Sequence, residues 1–222
     1  MNFNPFKKAT KPVKKVQRRQ FAGAKIDRLT SSWTTTQQSI NADLRNGGKV
    51  LRARARDLTI NNDYARKYMQ MCVSNVVGSN GIGLQVKSKT AKGKLNVKAN
   101  RQVEQGWKAW SQARNCSWDS RLSFVEMQRL FIETAARDGE VLVRMIRDES
   151  KYGFKLQFLD TNRLDEQLNK DLGNGACIKM GIEFDATGKP IAYHISKQLE
   201  TEYYQHYQLE TERVPAENMI HA

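Results

Sequence analysis

The sequence predicts an α+β fold, with helices at the N-terminal side followed by mostly antiparallel strands. Apolar residues recur at helical spacing in several segments before residue 139. Short apolar–polar alternations separated by Gly-containing turns occupy residues 140–196, as in strands joined by hairpins. Because helices and strands fall in separate parts of the chain, an α+β protein is favoured over a doubly wound parallel sheet.

The composition fits a protein with a real core. Of the 222 residues, 39% are hydrophobic and 27% charged. No apolar run approaches the ~18 residues of a membrane span, and the basic start lacks the apolar stretch of a secretory signal. We therefore expect a soluble protein made in a cytoplasm. Its three scattered cysteines are expected to be reduced, semi-buried thiols: Cys72, Cys116 and Cys177.

A basic arm is predicted at the N-terminus. Residues 1–28 hold nine basic groups and one acid, so they carry more than half of the net charge of +14. Such a segment repels itself and has little apolar content, so we predict a disordered arm ahead of a folded region at 29–222. Either it is a solvated tail that aids solubility or it binds nucleic-acid phosphate. Its candidate nucleic-acid-binding residues are Lys7, Lys8, Lys11, Lys14, Lys15, Arg18 and Arg19.

Two short helices are predicted within residues 29–58. A weak helix around residues 36–44 is expected to break at Asn46-Gly47-Gly48. The following LRARARDL, residues 51–58, favours helix because Arg and Ala are good helix formers. Its arginines are expected either to face DNA or a neighbouring subunit, or to pair with acids such as Asp43 or Asp57: Arg52, Arg54 and Arg56.

The next helix is predicted from Asn62, a suitable N-cap, to Gly78, a stop signal. Residues 84–89 alternate as a half-exposed strand does, and residues 92–94 predict a turn. A helix over residues 97–113 places Trp107 and Trp110 on one side, where core packing is favoured over base stacking.

A further helix with a clear start signal is predicted next. Ser123 and Glu126 form an S-x-x-E capping box ahead of an apolar periodic run. The helix is expected to end at Asp138-Gly139.

Strands are predicted at residues 140–147 and 155–159. One strand over 177–185 is expected to pair with 190–196 across the turn at 186–188. Residues 203–209 are a further candidate strand, broken at Val214-Pro215. The chain stops at Ala222 in the middle of a pattern, which predicts a fragment of a longer protein.

Catalytic and metal-binding motifs are weak. The histidines His194, His206 and His221 lack the spacing of metal ligands, and GSNGIG at 78–83 fits neither a Walker loop nor a dinucleotide fingerprint. We therefore predict no cofactor, no metal and no enzymatic activity. The alternative is a Mg²⁺ nuclease site at Asp138 and Glu140, although Asp-Gly is also what a turn requires.

Several segments in a fixed order resemble the lambda-type phage portal protein family, N-terminal portion. No single piece is a chemical signature, and the joint order over about residues 28–222 makes the match. The segments are LRARARDLTINNDYARKYMQMCVSNVVGSNGIGLQ, QGWKAW, LSFVEMQRLFIETAARDGEVLVRM, LQFLDTNRLDEQLN, GIEFDATGKPIAYHI and RVPAENMIHA.

The resemblance implies most of the wing region of a portal, truncated before the stem and clip. It implies a homo-oligomeric ring, commonly of twelve subunits, at one capsid vertex of the virion, assembled in the host cytoplasm. The ring would conduct double-stranded DNA during packaging and ejection. Its implied partners are other copies of the chain, non-specifically bound DNA, major capsid and scaffold proteins, the terminase large subunit and neck or tail adaptors, with no membrane. A ring needs a heterologous interface, to which Arg52, Arg54 and Arg56, with Asp138 and Glu140, could contribute.

Two alternatives of other classes stay open beside the portal hypothesis. One is a free-standing, sequence-nonspecific DNA-binding protein that uses the basic arm. The other is the metal-dependent nuclease at Asp138 and Glu140.

Overall fold

Among the residues that the structure describes, five α-helices precede the strands. The structure, a computed structural model, describes residues 26–33, 35, 39–197 and 210–222. The predicted strand at 203–209 and nearly all of the predicted basic arm lie outside the described residues. The helices are α1 (Ile40–Asn61), α2 (Asp63–Val76), α3 (Val97–Trp110), α4 (Ala113–Cys116) and α5 (Phe124–Asp138).

Two antiparallel sheets follow, which confirms the α+β prediction. In the first, β1 (Leu142–Arg147) lies between β2 (Phe154–Leu159) and β8 (Met219–His221). The second has five strands in sequence order: β3 (Lys170–Gly173), β4 (Ala176–Lys179), β5 (Ile182–Phe184), β6 (Pro190–Ser196) and β7 (Thr211–Pro215).

The predicted break at residues 46–48 is wrong, because α1 runs through it as one helix of 22 residues. A glycine inside a helix costs about 1 kcal/mol relative to alanine. Tertiary contacts offset that cost here. Gly48 is buried, and Arg52, one turn later, is anchored in ion pairs to the rest of the fold.

The predicted helix ends are confirmed where a local cap fixes them. Asn62 caps α2 by accepting a hydrogen bond from Ala65 N at 3.1 Å. Ser123 and Glu126 form the expected reciprocal capping box at α5. Gly139 ends α5 in the left-handed conformation, φ 84°, which glycine adopts without a steric penalty.

Three predicted boundaries are wrong where tertiary contacts decide. Residues 84–89 form no strand and contribute one isolated bridge, between Lys89 and Leu95. The helix predicted over 97–113 ends at Trp110, and α4 follows separately. The strand predicted over 177–185 is a hairpin, because Met180 and Gly181 turn the chain with φ of 50° and 77°.

The strands at the chain's end were placed only in part. Val214 and Pro215, predicted to break a strand, are the last residues of β7. Strands β3 and β8 were not predicted. β8 pairs with β1 through Leu142 and His221, 79 positions apart in sequence.

The core has two parts. One joins the two sheets and is formed by Leu142, Leu159, Leu164, Tyr193, Ile195, Val214 and Met219. The other packs α3, α4 and α5 on β2 around Trp110. The ring of Trp110 lies 5.1 Å from that of Trp107 and 4.9 Å from that of Phe154, so the predicted core role of the tryptophans is confirmed.

The three cysteines are free thiols, as predicted. Cys116 is fully buried in the tryptophan cluster, and this burial raises the pKa of its thiol.

Candidate functional site

Helix α1 presents its arginines on two sides. Arg52 and Arg56 are one helical turn apart and both face the fold, whereas Arg54 is exposed. The difference follows from the helical period, since neighbours two apart point to different sides. The three residues that the sequence grouped together therefore lie in different environments.

Arg52 is buried among two carboxylates. Its guanidinium donates to Glu140 Oε1 at 2.9 Å and to Glu166, and its Nε donates to Asn162 Oδ1 at 3.3 Å. Only 9% of the Arg52 side chain and 4% of the Glu166 side chain are exposed, so the pair is shielded from water. The second oxygen of Glu140 lies 3.2 Å from His221 Nε2 of β8.

Arg56 joins α1 to the end of α5. It donates to both oxygens of Asp138, at 3.0 and 2.7 Å, and to both oxygens of Asp160, each at 3.1 Å. Arg137 donates to the same Asp138 carboxylate at 2.9 and 3.1 Å. Two guanidinium groups therefore share one carboxylate.

These contacts shift the pKa values of Asp138 and Arg56. Burial alone would raise the pKa of Asp138, but the hydrogen bonds from Arg56 and Arg137 outweigh it and lower the pKa to about 2. The hydrogen bond with Asp138 correspondingly raises the pKa of Arg56. All three groups are charged at neutral pH.

The two carboxylates considered for a nuclease site, Asp138 and Glu140, form ion pairs with arginines. Asp138 and Glu140 flank Gly139 as the sequence indicated, yet each is neutralised by guanidinium groups. Within the described ranges, no group of three or more His, Cys, Asp or Glu residues is placed to hold a metal ion. The arrangement is that of a structural ion-pair network joining α1, the α5–β1 junction and the turn at Thr161–Arg163.

An open groove of about 1080 Å³ is lined in part by this network, through Arg52, Asp138, Glu140 and Glu166. Its walls are mainly apolar, with Leu44 and Leu51 of α1 on one side and Ile182 and Phe184 of β5 on the other. Arg52 lies among the lining residues.

A row of leucines on α1 continues from the groove. Leu44, Leu51 and Leu58 are spaced by seven residues and are 43%, 61% and 51% exposed. Seven-residue spacing keeps them on one side of the helix, the pattern of a helix that packs against another helix. We call these three residues the leucine row.

The structure places the predicted site residues unevenly. Lys7, Lys8, Lys11, Lys14, Lys15, Arg18 and Arg19 lie outside the described residues. Arg52 and Arg56 are in the intrachain network, and Arg54 is solvent-exposed. Sequence reasoning did not find Glu166 and Asp160, the acids opposite them, because 114 and 104 positions separate the partners and no local pattern links them.

The described residues thus form an α+β fold with a structural ion-pair network and an open, mainly apolar groove. The family model "Phage portal protein, lambda family" matches residues 27–222, and the chain belongs to this family. The resemblance to the lambda-type portal family found in the sequence is thereby confirmed.

Two curated relatives support the family. The chain is 37% identical over 205 residues to the "Probable portal protein" of Halomonas phage phiHAP-1, covering 90% of this chain and 40% of that protein. It is 26% identical over 182 residues to "Portal protein B" of Escherichia phage lambda, covering 75% of this chain and 32% of that protein. The chain thus spans 40% or less of either relative.

No helix in the described part of the chain is both long enough and apolar enough to cross a bilayer.

Proposed function

We propose that the chain is part of a phage portal subunit that assembles as a ring at one capsid vertex and conducts DNA during packaging and ejection. Membership of the lambda portal family over residues 27–222 is the observation that carries the proposal. Both relatives are named as portal proteins. Portal proteins are structural components, and the site described above is built from structural ion pairs.

The leucine row and the adjoining groove support assembly. Exposed apolar side chains at regular helical spacing gain free energy when another surface covers them. In a ring each subunit presents one face to a different face of the next subunit. We propose that a neighbouring copy of the chain covers this surface, and twelve copies are the expected number.

Further partners follow from the portal role. They are double-stranded DNA bound without sequence preference, major capsid and scaffold proteins, the terminase large subunit and neck or tail adaptors. The proposed location is the portal vertex of the virion, with assembly in the host cytoplasm. Lys7, Lys8, Lys11, Lys14, Lys15, Arg18 and Arg19 are proposed to contact DNA, and Arg54 is proposed to face DNA or the next subunit.

The test is negative-stain electron microscopy of the 222-residue chain beside any longer product of its reading frame. Rings with a central hole from the longer product are expected. Monomers from every product would overturn the proposal. If those monomers bound DNA tightly and lost the binding on removal of residues 1–28, the free-standing DNA-binding protein would replace it.

A further inference from the structure

Residues 29–222 carry their excess charge in one short segment. Residues 29–222 hold 28 basic and 22 acidic residues, and residues 85–101 hold six of the basic ones and no acid. The rest of residues 29–222 is therefore balanced, with 22 charges of each sign. We call the six the basic ridge: Lys87, Lys89, Lys92, Lys94, Lys98 and Arg101.

The basic ridge is exposed and unneutralised. All six side chains are exposed. None of the six forms an ion pair with another residue that the structure describes, although fourteen such pairs occur elsewhere. Glu104, the nearest acid along the chain, uses Oε1 to accept a hydrogen bond from Val86 N at 2.9 Å.

The backbone that carries the ridge is held in place. Residues 88–96 fold back as a hairpin-like loop, in which Asn96 N donates to Ser88 O at 2.9 Å and Thr90 N donates to Lys94 O at 2.7 Å. The buried side chain of Asn100 fixes this loop to α3, accepting from Ser88 N at 3.1 Å and donating to Ser88 O at 3.3 Å. The cations are thus displayed from an ordered platform.

Lys87 and Lys89 lie on the outer side of the loop, away from Asn100. Successive side chains of extended backbone alternate, and the hydroxyl of Ser88, between them, donates to Asn100 Oδ1. On α3, Lys98 and Arg101 are one turn apart and exposed. Exposed positive charge is therefore carried both by the loop and by the first turns of α3.

From these observations we infer that the basic ridge is a binding surface for the phosphate backbone of double-stranded DNA, separate from the N-terminal arm. Five of its six cations are lysines, which bind phosphate as point charges on flexible stems without fixed geometry. Such contacts position DNA and read no sequence. The inference rests on the proposed function, because a DNA conduit needs weak, sequence-independent contacts.

The test measures the salt dependence of binding to random-sequence double-stranded DNA by fluorescence anisotropy. Full-length chain is compared with the triple variant K87Q/K89Q/K94Q and with a matched control, K67Q/K170Q/K189Q, which removes three exposed lysines outside the ridge. Log K falls linearly with log salt, and each lost phosphate contact makes that slope less steep by about 0.9. The slope of the ridge variant should therefore be less steep than that of wild type by up to about 2.7. The control should keep the wild-type slope.

A ridge variant with the same slope as the control would overturn the inference. If the first variant fails to fold, as judged by circular dichroism, K92Q/K98Q/R101Q tests the other half of the ridge. Equal affinity for poly-L-glutamate and for DNA at the same salt would overturn the assignment of DNA as the ligand. Ring formation in the microscope is scored separately, so absent rings with a ridge-dependent slope would reject the proposed function alone.

Discussion

Asp138 accepts hydrogen bonds from two arginines while 1% of its side chain is exposed. Arg56 reaches it from α1, and Arg137 is its neighbour in sequence. A buried carboxylate is costly unless its charge and lone pairs are satisfied, and here both are. This residue therefore links the N-terminal helix to the start of the first sheet.

Removing that charge should destabilise the fold. Asp138→Asn leaves Arg56 and Arg137 without their shared carboxylate, and we expect a loss of about 3 kcal/mol in the free energy of unfolding. Urea denaturation measures it. The control is Glu210→Gln, which breaks the exposed pair with Lys197 and should cost under about 1 kcal/mol. Equal effects of the two variants would contradict the role of Asp138.

The same residue predicts an acid dependence. The folded-state pKa of Asp138 is about 2, below its ordinary value of 3.8. A lowered pKa means that its contribution is fully present above about pH 4 and is lost as the pH falls through 2. The stability difference between wild type and Asp138→Asn should shrink by roughly 2 kcal/mol between pH 6 and pH 2. A difference that stays constant over this interval would show that Asp138 is not stabilised as a carboxylate.

At the scale of elements, α1 has two functional sides. Arg52 and Arg56 anchor the helix in ion pairs, and the leucine row beside them, along the groove, is exposed. A helix with a glycine pair in its interior and one apolar side uncovered is held mainly by tertiary contacts. Assembly is expected to use the uncovered side.

The leucine row should therefore be needed for rings but not for folding. Leu51→Asp changes a side chain that is 61% exposed, so the free energy of unfolding should move by less than about 0.5 kcal/mol. Ring formation in the ring-competent product should be lost. Leu172→Asp, on β3 and 42% exposed, is the matched control and should leave rings intact. Rings from the Leu51 variant would place the subunit contact elsewhere.

The β4–β5 hairpin offers a test of close packing. Gly181 has φ +77°, and a Cβ there would lie 2.7 Å from Asp165 O. Gly188 has φ +83° and open space around it. Both alanine variants incur the left-handed penalty of about 1 kcal/mol, and Gly181→Ala should cost at least about 1 kcal/mol more because of the clash. Thermal unfolding of the two variants compares them, and equal losses would argue against the contact.

At the scale of the whole molecule, positive charge is concentrated in two places. One is the predicted arm and the other is the basic ridge, while the rest of the sequence from residue 29 onward is balanced. Two separate cationic regions on an assembling subunit would be repeated around a ring. Many weak phosphate contacts then add up without reading the sequence.

The arm should contribute to DNA binding but not to stability. Deleting residues 1–25 removes eight basic groups and should lower the salt slope by several units, since each phosphate contact counts for about 0.9. The unfolding midpoint in urea should stay unchanged. A shifted midpoint would mean that the arm packs on the fold, and an unchanged slope would mean that it does not touch DNA.

The sequence by itself determined that helices precede mostly antiparallel strands, where the capped helices begin or end, and the family. These depend on local chemistry: Asn62, the Ser123–Glu126 box and Gly139 act within a few residues of where they stand. The charge run over residues 85–101 is present in the sequence, but only the structure shows that its side chains are exposed.

Only the tertiary structure decided which partners the arginines take and which surfaces stay open. Arg52 pairs with Glu166 and Arg56 with Asp160, although more than 100 positions of sequence separate the partners. β8 pairs with β1 although all strands of the second sheet lie between them in sequence. The continuity of α1, and the division of the predicted strand at Met180 into a hairpin, depend on long-range contacts too. Long-range pairing is set by how elements pack, a free-energy contribution that no local pattern in the sequence encodes.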